Sequence, residues 1–315
     1  MHCTGTVGPD GAQKDQNPLA LTAAWFGSTD VTSKTLAQFQ IGGHLLIEPT
    51  ASFVGVFGDV CPGHRKTLRL CFANGDYHEL QETRVLPFYK SWTPPPALEQ
   101  LDLVYVLFFS FYSLQKAYER FGAHAWCVPT YVPTSSMFEN YAICQAPVLS
   151  TQHNWAARRC IGFVSWRAPE KYGEIISKIE AVVNHHDWSI CDAVPLYSCL
   201  SQAGRFGDPF FVYHPNFASV WERHVTPKLG AASFASWRCN YWMATPAAVL
   251  EYANFLRKDL LPALCSDEDC FKDSTYGRPI TPEMEQVGWR FYPLLPFLLE
   301  RVVGKYFQWR AAQGA

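Results

Sequence analysis

The stretch RCIGFVSWRAPEKYGEIISKIEAVVNHHDWSICDAVPLY, Arg159 to Tyr197, holds two kinds of periodicity side by side. CIGFVSW is a short, continuous apolar run of the kind buried in a parallel sheet, and WSICDAVPLY reads as another, with Pro195 near its end. Between them, Ile175, Ile176, Ile179, Val182 and Val183 recur on one face of a helical wheel. Strand, helix, strand is a βαβ unit, and it predicts an α/β domain with a mostly parallel sheet flanked by helices.

Working outward, LVYVLFFS (Leu103 to Ser110) gives a further buried strand. Ser136 and Glu139 have capping-box spacing at the start of FENYAICQA. Phe217, Val220, Trp221 and His224 mark a helix that stops near Gly230. Val249, Tyr252, Ala253, Leu256 and Leu260 mark another, with Thr245 as N-cap and Pro246 at its first position. Leu295, Leu298, Val302, Tyr306 and Trp309 mark a last one. Upstream the pattern changes: Leu68, Leu70 and Phe72 alternate before Asn74-Gly75, a strong hairpin signal. The prolines 94 to 96 form a stiff spacer. The expected organisation is a flexible tail at 1–18, a small all-β module at 19–90, a Pro-rich linker at 91–100 and the α/β domain at 101–315.

Composition narrows the classes further. Apolar residues make up 48% and charged residues 17% of 315, enough for a substantial core. A net charge of −2 supplies no basic field for nucleic acid, so none is expected as partner. The longest apolar run is too short to span a bilayer, and the first residues lack a signal-peptide core. Eleven scattered cysteines without a C-x-x-C pair suit a reducing compartment. The expectation is a cytoplasmic protein without a transmembrane segment. No Walker loop, nucleophile elbow or His-Glu-x-x-His occurs.

The order FENYAICQA, RCIGFVSWRAPEKYG, DAVPLY, YHPNFASVWERHVTPKLG, CNYWMATPAAVLEYANFL and YPLLPFLLERVVGKYF resembles glycosyltransferase-like proteins of large DNA viruses and bacterial surface-polysaccharide loci. These are similar to exopolysaccharide-biosynthesis glycosyltransferases with a GT-A-like fold. The resemblance covers roughly residues 101 to 310. It implies an enzyme that moves a hexosyl or pentosyl group from a nucleotide-sugar donor to a glycan or glycoconjugate acceptor. The alternative is a non-catalytic glycan-binding or assembly protein on a degenerate form of the fold. Gly58-Asp59, Pro62-Gly63 and Lys66 to Leu70 resemble a small β module that accompanies some J-domain co-chaperones.

For such chemistry the chain must hold a diphosphate and activate an acceptor hydroxyl. Arg167 and Lys171 follow the strand CIGFVSW, at the carboxyl edge where open α/β sheets bind ligands, and Trp166 stands beside them. Arg158 and Arg159 precede that strand and are expected to be solvated at the opposite edge. Asn240, Tyr241 and Trp242 lie just before a helix start, with Asn240 and Trp242 candidates for donor binding. Glu300 and Arg301 interrupt an apolar helix, as a catalytic carboxylate and a donor contact. Asp192 is the second catalytic candidate, placed with Phe109 and Trp166 at the carboxyl ends of strands. Glu139 is assigned to capping its own helix, and His214 is discounted. The literal Asp-x-Asp, Asp267-Glu-Asp269, falls in a polar loop after a helix and reads as a solvated acidic loop. The metal question, Mg²⁺ or Mn²⁺, therefore stays open.

Overall fold

A computed structural model describes residues 20–48, 51–60, 62–63, 66–82, 88–91, 100–133, 137, 139–197, 214, 216–230, 237, 239–271 and 293–314. The expected tail, most of the Pro-rich linker and Ser136 lie outside them. The chain divides into two compact units, 1–94 and 95–315.

The first unit contains an antiparallel sheet of four described strands. They are β1 (Leu21–Phe26), β2 (Thr29–Asp30), β5 (Thr67–Phe72) and β6 (Tyr77–Gln81), in the order β2-β1-β5-β6. A second sheet joins β3 (Gln40–Ile41), β4 (His44–Ile47) and β7 (Phe88–Ser91) in the order β3-β4-β7. Leu68, Leu70 and Phe72 all turn into the core, as their alternation requires. The β5–β6 hairpin closes at Asn74-Gly75, where Gly75 takes a φ of 88° that a Cβ would disfavour.

This unit is not all-β. It also contains α1 (Thr32–Phe39) and α2 (Phe53–Phe57). In α2, Phe53 and Phe57 stand one turn apart and are both buried, so the apolar run serves a helix. Ser52 caps its start by accepting a hydrogen bond from the Gly55 N–H, and Gly58 ends it with a φ of 85°.

The second unit is built on a mixed sheet. Its described strands are β8 (Asp102–Phe108), β9 (Cys127–Tyr131), β10 (Cys160–Ser165), β11 (Ala193–Pro195) and β12 (Trp242–Ala244), in the order β11-β12-β10-β8-β9. β9, β8 and β10 pair in parallel, and β12 is antiparallel to both its neighbours. Every residue of β8 and β10 is buried, which explains why both read as unbroken apolar runs. The connection from β10 to β11 runs through α7 (Ile175–His185), but β12 sits between those two strands. Adjacent parallel strands are instead joined from β8 to β9, through α3 (Phe111–Phe121).

One face of this sheet presents Leu103, Tyr105, Leu107, Ile161, Phe163, Trp242 and Ala244 to a large apolar core. Against it pack α4 (Asn140–Cys144), α5 (Ala146–Gln152), α8 (Phe217–His224), α9 (Thr226–Leu229), α10 (Pro246–Phe255), α11 (Leu261–Cys265) and α12 (Leu294–Ala312). Leu114, Ala117 and Phe121 of α3 are buried outside that cluster, against β8 and β9. Among the described residues no helix is long and apolar enough to cross a membrane.

Candidate site at the carboxyl edge of the mixed sheet

Strand direction decides which side chains can meet. β10 ends at Ser165, and α6 (Ala168–Lys171) follows at once, with Pro169 in its first turn. β12 enters antiparallel, with Trp242 opposite Phe163, so Cys239, Asn240 and Tyr241 arrive at the edge where β10 ends. β11 leaves at the same edge, where the Leu196 N–H donates to the Tyr241 carbonyl at 2.9 Å.

Aromatic rings tie these three chain segments together. Tyr172 stacks on Tyr197 with centroids 3.6 Å apart, and meets Tyr241 edge-on at 5.8 Å. The Tyr172 hydroxyl lies 3.5 Å from the Cys239 sulfur. Lys171 places its ammonium 5.8 Å from the centre of the Tyr241 ring, within cation–π range.

Charged groups from two other elements converge on the same place. Burial pushes the Glu300 carboxyl of α12 up to about 7, the Glu139 charge adds to the rise, and Lys171 and Arg301 oppose it. Glu300 keeps some exposed surface, but protein surrounds its carboxyl. The Cys239 thiol is pushed up to about 11, first by burial and then by the Glu300 charge. Burial, with the charges of Cys239, Glu139 and Glu300, raises the Tyr241 phenol. His214, against the Phe297 ring at 4.5 Å, is lowered to about 4 by burial and by Arg301.

Lys171, Glu300 and Arg301 are thus brought together, with Asn240 at the same edge. Glu139 joins them through its charge, which acts on Glu300 and Tyr241; it makes no N-cap hydrogen bond to α4, and Ser136, its expected capping-box partner, lies outside the described residues. Tyr172, Tyr197 and Cys239 were not foreseen. Their only signal was adjacency in sequence, Tyr172 to Lys171 and Cys239 to Asn240.

Asp192 does not belong here. Strand β11 begins at Ala193, opposite Ala244 and therefore level with Ile161, so Asp192 lies at the amino edge, across the sheet from Phe109 and Trp166. The expected pocket joining these three residues is not formed. There Asp192 pairs with Arg310, which also donates to Glu251 at 2.7 Å. Trp242 is likewise no ligand platform: it is fully buried among Phe163, Tyr252 and Phe307, because its side chain takes the inner face of β12.

Trp166 and Arg167 follow β10 as expected but turn toward α3. Tyr112 meets the Trp166 ring at 5.6 Å, Arg120 and Arg167 lie over it, and Arg167 pairs with Glu170 at 3.2 Å. Arg158 and Arg159 lie at the amino edge as expected, but only Arg159 is exposed. Arg158 is buried and donates to the backbone, and Arg159 makes a two-point ion pair with the buried Asp102.

Asp267 is engaged too, accepting from Arg223 and His224, each at 2.7 Å, while Asp269 accepts from Arg223. Burial works to raise the Asp267 carboxyl, but the Arg223 and His224 hydrogen bonds outweigh it and hold it at about 2. Among the described residues no group of three or more His, Cys, Asp and Glu side chains could hold a metal ion.

Compared with protein-family models, curated proteins and solved structures, the chain matches none.

Proposed function

We propose that the chain is a glycosyltransferase that moves a sugar from a nucleotide-sugar donor to a glycan or glycoconjugate acceptor, with its site at the carboxyl edge of the mixed sheet. One observation carries the reading. A carboxyl raised to about 7 stands beside a second carboxylate, two cations and a cluster of tyrosines, where open α/β sheets bind ligands. The resemblance described above supports the same chemistry.

In this reading Glu300 is the base that takes the acceptor hydroxyl proton, its pKa matched to neutral operation. The freed oxygen attacks the anomeric carbon as the bond to the diphosphate breaks, and Lys171 and Arg301 offset the charge left on the nucleoside diphosphate. Glu139 keeps Glu300 basic by opposing its ionisation. Tyr172 and Tyr197, both half-buried, would offer aromatic surface to a sugar or base. A cytoplasmic setting is part of the proposal. Cys127, Cys144, Cys160, Cys239 and Cys270 are free thiols, as a reducing compartment favours.

A thermal-shift screen against UDP-, GDP- and dTDP-sugars, with and without Mn²⁺, tests the reading. A raised midpoint with at least one donor, together with release of its nucleoside diphosphate, is the expected result. Binding without release points to a non-catalytic glycan-binding protein. No shift with any donor removes the proposal.

A further inference from the structure

We infer that Asn240 selects the ligand: it is a buried amide left open for an uncharged group that both donates and accepts hydrogen bonds. Adjacent hydroxyls of the donor sugar and the imide edge of a pyrimidine base share that chemistry. The inference rests on the reading of the site given above and deepens it.

Asn240 is 2% exposed, yet neither its Nδ2 nor its Oδ1 has a hydrogen-bond partner. Buried carboxamides in folded proteins are nearly always paired, so an amide with its carbonyl and both N–H groups unused marks a place completed by something else. Its neighbours depart from ordinary packing as well. Tyr241 buries a hydroxyl that makes no hydrogen bond of normal geometry, although Ser165 lies near enough to act on it. Cys239 holds a φ of 61°, a left-handed conformation uncommon outside glycine, just before the chain enters β12. All three residues stand at the edge where Lys171, Glu300 and Arg301 meet.

The charge of the ligand group follows from these surroundings. Asn240 is neutral, and the cations that suit a phosphate are Lys171 and Arg301. A neutral amide beside them fits the uncharged part of the same molecule, where it can accept from one hydroxyl or imide N–H and donate to the next oxygen.

Asn240→Leu and Asn240→Asp, titrated calorimetrically with nucleoside diphosphates and with UDP-, GDP- and dTDP-sugars, test the assignment alongside the thermal midpoints of the free proteins. Replacing an unpaired amide with an apolar group of similar size should leave the midpoint of free Asn240→Leu unchanged or higher, while nucleotide-sugar affinity falls at least about tenfold. A loss already present with the nucleoside diphosphate assigns the amide to the nucleoside. A loss confined to the sugar-bearing ligand assigns it to the sugar. If Asn240→Leu does not fold, the isosteric Asn240→Asp carries the same comparison.

Undiminished affinity in a folded variant overturns the inference, as does a lowered midpoint in both variants, which would mark a structural amide. If wild type binds no nucleotide-sugar, the glycosyltransferase reading fails by itself. Free mono- and disaccharides then replace the donors: binding by wild type that is lost in Asn240→Leu supports the amide's role, and no binding overturns it.

Discussion

Glu300 sits on a helix whose neighbouring residues are almost all buried, with Glu139 near enough to resist its ionisation. Its pKa is raised from 4.5 to about 7, so the folded state holds the proton more tightly than the unfolded chain. The stability gained from the protonated carboxyl is complete below about pH 4.5 and lost as pH rises through about 7. Glutamine mimics the protonated form. Glu300→Gln should therefore melt higher than wild type at pH 8, with the difference gone near pH 4, as thermal unfolding across that range will check. The same substitution should slow transfer by about 10² to 10⁴-fold, and wild-type kcat/KM should rise with pH to a plateau above 7.

Of the candidate site, Glu300, Arg301 and Asn240 were legible because a charge or amide inside an apolar pattern needs a reason, and Lys171 because it follows a buried strand at its carboxyl end. Asp192 was misread because an apolar run shows where a strand lies but not where it begins. Glu139 was assigned to a capping box with Ser136, a local reading that gives no hint of the charge it turns toward Glu300.

At the scale of elements, the central strand β10 depends on a missing side chain. A Cβ on Gly162 would stand 2.8 Å from Met243 Cγ and 3.2 Å from Val104 Cγ2, between two paired strands. Gly162→Ala should lower stability by about 1–3 kcal/mol in denaturant unfolding, the usual cost of overpacking a filled core. Thr245 caps α10 through a long bond of 3.4 Å to the Ala248 N–H, so Thr245→Ala should cost only about 0.5 kcal/mol, at the low end for a cap.

The Asn-Gly hairpin and the long helices were readable because local chemistry specifies them. The insertion of β12 between β10 and β11 was not, since strand order is set by contacts distant in sequence. The helix Phe53–Phe57 was missed although Ser52 and Gly58 bracket it, because five residues are too few for periodicity to separate helix from strand.

At the scale of the whole molecule, each of the two units has its own buried core, one centred on Phe26, Phe53 and Phe57 and the other on the mixed sheet. Residues 95–315 expressed alone should therefore unfold cooperatively; an insoluble or non-cooperative product would show that the second unit depends on the first. The fold class was legible from alternating strand and helix patterns, whereas the proposed site draws on groups gathered from the start of α4, from α6, from α12 and from the approach to β12. The most direct test of sugar transfer is nucleoside diphosphate release from UDP-, GDP- and dTDP-sugars in the presence of glycan acceptors, comparing wild type with Glu300→Gln. The expected result is turnover of at least one donor by wild type, with Glu300→Gln binding that donor as tightly but releasing product about a hundredfold more slowly or worse. Equal rates in the two proteins, or no turnover of any donor by wild type, would contradict it.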